Sequence, residues 1–183
     1  MKALTTRLEG LVLLEPDVFS DGRGSFMETY HAPRYAAHGI AASFVQDNLS
    51  RSTHGVLRGL HFQHPHPQGK LVQVLEGEVF DVALDIRQGS PTFGEWEGFA
   101  LSAANHHQLY LPPGFAHGYC VTSPCALILY KCTDLYHPEC EGTVAWDDPA
   151  LSISWPLESP TVSGKDRQGV RLGDLDPALL PLY

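Results

Sequence analysis

The chain has 183 residues, 43% of them hydrophobic and 18% charged, which fits one globular domain with a real core. Its formal net charge of −9, with no basic run to offset it, argues against nucleic acid as the main partner. The apolar run Leu11 to Leu14 is too short for a signal-peptide core, and no stretch reaches bilayer-spanning length, so no membrane association is expected.

Residues 1 to 16 read as an opening strand carrying Leu11 and Leu13, ended by Pro16. Asp21-Gly22-Arg23-Gly24 is a turn signal, and Ser25 to Tyr30 follows as a short strand with Phe26 and Glu28. A short helix is expected over His31 to His38, with Gly39 as its stop. Phe44 to Asn48 reads as a strand and Ser50 to His54 as a polar loop. Val56 to Gln63 is a strand, His64 to Gly69 a Pro/His loop. Lys70 to Leu75 and Val79 to Ile86 are strands joined through a turn at Gly77. Trp96 to Leu101, Gln108 to Leu111, Gly118 to Thr122 and Ala126 to Cys132 complete the main run. Tyr136 to Pro149 is loop-like, Ile153 to Pro156 one more short strand. The tail holds a short helix near Asp176 to Leu180. Nine or ten short strands at regular spacing, with little helix, predict an all-β sandwich or barrel in one domain, 1–183.

Cys120, Cys125, Cys132 and Cys140 show no Cys-x-x-Cys spacing. Without a secretory signal they read as reduced thiols of a cytoplasmic protein.

The chemistry concentrates between Gly55 and Lys70. Along Val56 to Gln63 the residues Arg58, His61 and Gln63 form a polar face against Val56, Leu60 and Phe62, with Gly59 interrupting the period of two. Polar side chains facing a sheet's interior are costly unless that interior is a wet pocket. Arg58, His61 and Lys70 together suit an anionic ligand that also needs proton transfer. His61 is either a structural histidine or a base, since imidazole titrates near neutrality. A metal reading competes: His61, His64, His66 and His117 are possible ligands, and Pro112-Pro113-Gly114-Phe115-Ala116-His117 echoes the Pro-x-Gly-x-x-His motif of metal-binding cupins. The glutamate such cupins carry after their His-x-His is missing, and Lys70 stands in its place, where an ammonium repels a divalent cation. Arg23 and Arg58 are candidates for phosphate, as guanidinium forks suit its oxygens. Tyr130 is a core tyrosine or a proton donor. Asp166 matters only if the fold brings it to His61.

Several ordered motifs resemble one family. They are Asp21-Gly22-Arg23-Gly24-Ser25-Phe26, Gln46-Asp47-Asn48, Gly55 to Gln63, Pro67-Gln68-Gly69-Lys70, Val79-Phe80-Asp81-Val82, Gly89 to Gly94, Gly114 to Gly118, and Tyr130-Lys131-Cys132-Thr133. The chain resembles the dTDP-4-dehydrorhamnose 3,5-epimerases from about residue 4 to residue 170. The resemblance implies a cupin-type double-stranded β-helix, or jelly-roll, barrel with a few short helices. It implies metal-independent epimerisation of dTDP-4-dehydro-6-deoxy-D-glucose at carbons 3 and 5, with no cofactor. His61 is then the general base and Asp166 its carboxylate partner. Lys70 stabilises the enolate oxygen, and Tyr130 returns a proton from the opposite face. Arg23 and Arg58 bind the pyrophosphate. Phe26, Glu28, Gln46 and Asn48 contact sugar or nucleotide, and His117, Tyr136 and Trp155 line the pocket. A homodimer is implied, with strands in residues 1–30 exchanged between subunits. The alternatives are a 3- or 5-monoepimerase of a related deoxysugar pathway and a metal-binding cupin.

Overall fold

Alternation of inward and outward side chains along the strands builds the architecture of this computed structural model, which describes residues 1–183. In chain order the strands are β1 (Lys2–Leu4), β2 (Val12–Glu15), β3 (Val18–Asp21), β4 (Gly24–Met27), β5 (Gln46–Thr53), β6 (Val56–Gln63) and β7 (Lys70–Glu76). They continue as β8 (Glu78–Asp85), β9 (Trp96–Ser102), β10 (Gln108–Leu111), β11 (Phe115–Val121), β12 (Cys125–Cys132), β13 (Glu141–Thr143) and β14 (Thr161–Val162). The single α-helix, α1 (Ala32–Ala36), follows β4.

One sheet has the order β1-β2-β10-β7-β12-β5; the other runs β13-β6-β11-β8-β9, with β14 parallel to β6. β3 and β4 form a separate hairpin. The inner faces of the two large sheets share one apolar core. Val72 and Val74 of β7 and Ile128 of β12 meet Ala83 of β8, Phe99 of β9 and Val121 of β11. Each such buried side chain contributes roughly 1.5–3 kcal/mol. Outside the first sheet, Tyr35 of α1 packs on Leu14, Leu71 and Tyr110. Outside the second, the C-terminal third covers Leu60, Phe62, Val82 and Leu84 with Val144, Leu151 and Leu172. The fold is an all-β, cupin-type barrel; the strand pattern predicts the all-β sandwich or barrel and the resemblance the cupin type.

Several local expectations are corrected. The opening stretch is two strands, β1 and β2, because the chain reverses through Gly10 at φ +92° and buries Leu8. Ser50 to Thr53 belong to β5 rather than to a loop. Ser50 and Ser52 point inward to polar partners, Tyr119 Oη at 2.7 Å and Arg58 Nε at 3.2 Å, so no hydrophobic alternation marks them. Ile153 to Pro156 forms no strand; Ile153 and Trp155 pack irregularly against the second sheet. β13 and β14 are too short to carry a period of their own. The short C-terminal helix is one 3-10 turn at Pro177–Leu179, capped by Asp176. The stretch Gly89 to Gly94 is structural. Ser90 and Thr92 hydroxyls donate to Asp85, which also accepts from Arg87, and these bonds outweigh burial and hold its carboxyl below the usual range.

Candidate active site

Arg58, His61 and Gln63 share the inward face of β6, although strict alternation would split Arg58 from His61. A bulge at Gly59 and Leu60 reconciles them: Tyr119 pairs with Arg58 and His117 with His61, so two steps on β11 oppose three on β6. Glycine is required here. Gly59 has φ +129°, and a Cβ on it would stand 2.5 Å from Gly118 Cα. The bulge also corrects the face of Val56, which packs on the inner core, while Leu57 and Leu60 face out.

The inward polar residues open onto a cleft of about 290 Å³. From the second sheet it is lined by His61 and Gln63; from the first, by Lys70, Tyr130, Gln46 and Asn48. Lys70 pairs with Cys132 and Val72 with Tyr130 across β7 and β12, so Lys70 and Tyr130 are diagonal neighbours on one face. His61 reaches the same space from the facing sheet.

His61 Nε2 donates to Asp166 Oδ1 at 2.6 Å. Asp166 opens a 3-10 turn (Asp166–Gln168), is 3% exposed, and also accepts from the Gly59 backbone. Burial pushes its carboxyl up, but the bonds from His61, Ser163 and Gly59 outweigh burial and hold it below the usual range. With Nε2–H committed to Asp166, Nδ1 carries the free lone pair.

Lys70 forms no ion pair. Burial pushes its ammonium down from the usual lysine value, opposed by nearby groups including Asp81 and Glu141. Tyr130 is pushed up to about 12, mainly by burial, so its hydroxyl stays protonated at neutral pH. Tyr136 donates its hydroxyl to Glu141 Oε2 at 2.6 Å and its backbone N–H to Gln46 Oε1 at 2.9 Å. The hydrogen bond to Glu141 pushes the Tyr136 phenol up. Gln46 in turn donates to Asn48 at 3.1 Å.

Other expected site residues lie elsewhere. His117 is directly opposite His61 on β11, beneath the cleft, and donates Nε2–H to both Asp81 oxygens at 3.0 and 2.9 Å. Arg58 is on the inner face but exposed, bonded to Ser52. Arg23, Phe26 and Glu28 stand away from this cleft, on or beside the β3–β4 hairpin. Arg23 pairs with Asp21 at 2.6 Å, and Glu28 with Arg34 at 3.3 Å. Trp155 packs on the outer side of the second sheet against Phe80 and donates its indole N–H to Trp146 O. The four histidines of the metal reading do not converge: His61 faces Asp166, His117 faces Asp81, His66 faces Asp134, and His64 Nδ1 is buried without a partner.

Gln68 and Glu141 also line the cleft and were not anticipated. Glu141 sits on short β13, paired with Gln63, and forms an ion pair with Lys165, the residue before Asp166. Burial raises the Glu141 carboxyl, but Lys165 and Tyr136 outweigh it and hold the carboxyl below the usual range. Its stretch has no periodicity, so only a charged residue in a loop-like segment was visible. Gln63 carried a signal in its place on the polar face of β6.

The family model for dTDP-4-dehydrorhamnose 3,5-epimerase matches residues 5–174. The chain is 53% identical over 178 residues to a dTDP-4-dehydrorhamnose 3,5-epimerase of Pseudomonas aeruginosa, covering 96% of this chain and 98% of that protein. It is 53% identical over 170 residues to one of Neisseria gonorrhoeae, covering 92% of this chain and 52% of that protein, so it spans about half that relative's length. Its structure superposes with a TM-score of 0.97 on the crystal structure of a dTDP-6-deoxy-D-glucose-3,5-epimerase from Legionella pneumophila Philadelphia 1 in complex with dTDP-4-keto-L-rhamnose. That pair is 52% identical, covering 100% of this chain and 98% of that one. A match over nearly the whole length, in both sequence and fold, places this chain in the dTDP-4-dehydrorhamnose 3,5-epimerase family.

Proposed function

We propose that the protein epimerises dTDP-4-dehydro-6-deoxy-D-glucose at carbons 3 and 5, giving dTDP-4-dehydro-L-rhamnose, by metal-independent proton transfer. The observation that carries the reading is the placement of a base and an acid on facing sheets of one cleft, His61 on β6 and Tyr130 on β12. Inversion requires that a proton leave from one face of a carbon and return to the other.

The ketone at carbon 4 acidifies the protons on carbons 3 and 5. His61 Nδ1 takes one of them, and Asp166 stabilises the imidazolium that forms. The electron pair moves onto the carbonyl oxygen as an enolate. Lys70, which lines the cleft and forms no ion pair, is the group whose Nζ donates to that oxygen. Tyr130 delivers a proton from the opposite side, and its phenol is protonated at working pH. Solvent then takes the proton from His61 and returns one to Tyr130, and repetition at the second carbon completes the reaction. His117 and Asp81 support β11 behind His61, and Tyr136, Gln46 and Asn48 shape the rim.

The reading includes a homodimer. A cleft of about 290 Å³ is small for a whole nucleotide sugar. The β3–β4 hairpin meanwhile holds Phe19 and Phe26 65% and 71% exposed beside Arg23, which suits a role in a neighbour's site, with Glu28 following. Arg58 then serves the pyrophosphate from the cleft's own side, and Trp155 acts through the packing behind β6. No helix is long and apolar enough to cross a membrane. Four free cysteines suit a reducing compartment, the cytoplasm.

A proton NMR time course in deuterium oxide tests the reading. Loss of both the carbon 3 and carbon 5 proton signals, abolished in His61→Ala, is the expected result. Exchange at one carbon only would make the protein a monoepimerase. No exchange by folded protein would overturn the reading.

A further inference from the structure

We propose that His66, Asp134 and His137 form a divalent transition-metal site on the rim of the cleft, separate from the proton-transfer residues. His66 lies in the loop after β6; Asp134 and His137 lie in the connection between β12 and β13. One ligand atom from each falls within 4.8 Å of the others. His66 Nδ1 is 3.5 Å from Asp134 Oδ2, and the two imidazole rings stack with centroids 4.3 Å apart. Glu139 Oε1, 3.4 Å from His137 Nδ1, adds negative charge beside the cluster.

Two imidazoles and a carboxylate suit zinc, nickel or copper, and the surrounding charge is negative. A tetrahedral shell with bonds of about 2.0–2.1 Å needs donor separations of roughly 3.4 Å. The three side chains are 51%, 39% and 31% exposed, so each has room to turn toward an ion.

The backbone is already fixed, by two glutamines of the cleft wall. Gln63 is 5% exposed. Its Nε2 donates to His66 O at 2.7 Å and to Leu135 O at 3.1 Å, while its Oε1 accepts from His137 N–H at 2.8 Å. Gln68 Nε2 donates to Asp134 O at 2.8 Å. Each of the three residues is thus held through its main chain by a side chain of the cleft, which fixes where its side chain starts. A bound ion ties the loop after β6 to the connection after β12 and stiffens the mouth between them.

Calorimetric titration of Zn²⁺ and Ni²⁺ into untagged, chelator-stripped full-length protein tests this. The expected result is one site per chain, weakened about tenfold or more in His66→Ala, His137→Ala and Asp134→Asn. Zinc should raise the melting temperature of the wild type and not of these variants. Their circular dichroism without metal should match the wild type, since the substituted side chains are partly exposed. Absence of binding up to millimolar metal would overturn the site. So would binding that survives the histidine substitutions and disappears on thiol alkylation.

Discussion

His61 Nε2 and Asp166 Oδ1 are 2.6 Å apart, though 105 residues separate them in the chain. The contact fixes which imidazole nitrogen holds a proton and leaves Nδ1 free. Asp166→Asn should keep the fold and allow the wrong tautomer, since an amide donates where a carboxylate accepts. A loss of about 10²–10⁴ in kcat, with KM changed little, is expected in steady-state assays. Turnover within tenfold of wild type in Asp166→Asn and Asp166→Ala would remove Asp166 from the mechanism.

The same contact predicts a pH dependence of stability. The folded-state pKa of Asp166 is lowered, so its contribution is fully present above the unfolded value of about 4 and is lost as pH falls through the folded value. Melting temperatures of wild type and Asp166→Asn should therefore converge as pH drops from 5 to 3. A gap that stays constant across this range would contradict the assignment.

Tyr130→Phe separates proton abstraction from inversion. The phenol is partly buried and neutral, and its loss leaves His61, Asp166 and Lys70 in place. Solvent deuterium should still enter the substrate, while net inversion falls by about 10²–10⁴. Loss of exchange in parallel with inversion would mean that Tyr130 is needed for abstraction as well.

Much of this was legible in the residues. Alternation marked β6, and apolar runs marked β7, β8 and β12; β7 and β8 bury side chains on both faces, in the inner core and in the outer clusters. The polar face of β6 pointed to His61, and the departure from alternation at Gly59 was visible before its meaning as a bulge. Ser50 and Ser52 hid half of β5, because their strand faces hydroxyl partners. The link from His61 to Asp166 could not be read from local pattern, as a 3-10 turn near the chain's end supplies the carboxylate. Resemblance alone suggested that pair. Glu141 went unseen because three residues of β13 carry no period.

Lys70→Met should trade activity for stability. The ammonium is half-buried without an ion partner, and methionine keeps the length of the stem without the charge. The melting temperature should hold or rise by about 2–4 °C, equivalent to about 1 kcal/mol for a chain of this size. The rate should fall by about 10²–10³, as when a group facing a developing oxyanion is removed. A destabilised variant with normal turnover would assign Lys70 a structural role instead.

Gly59→Ala probes the bulge. At φ +129° an L side chain is strained by about 1–3 kcal/mol. Its Cβ would also meet Gly118 Cα at 2.5 Å and His117 O at 2.8 Å. Both obstacles are backbone and cannot rotate away, so β6 and β11 must separate. A loss of at least about 3 kcal/mol is expected, measured as a drop of about 6–12 °C in melting temperature. The separation also moves His61 relative to Arg58, so any folded fraction should turn over slowly. Gly173→Ala is the control, because its Cβ would meet nothing within 4 Å. It should be neutral or stabilising by up to about 1 kcal/mol. Equal effects at the two glycines would mean that a general loss of glycine freedom, rather than the close approach of β6 and β11, sets the cost.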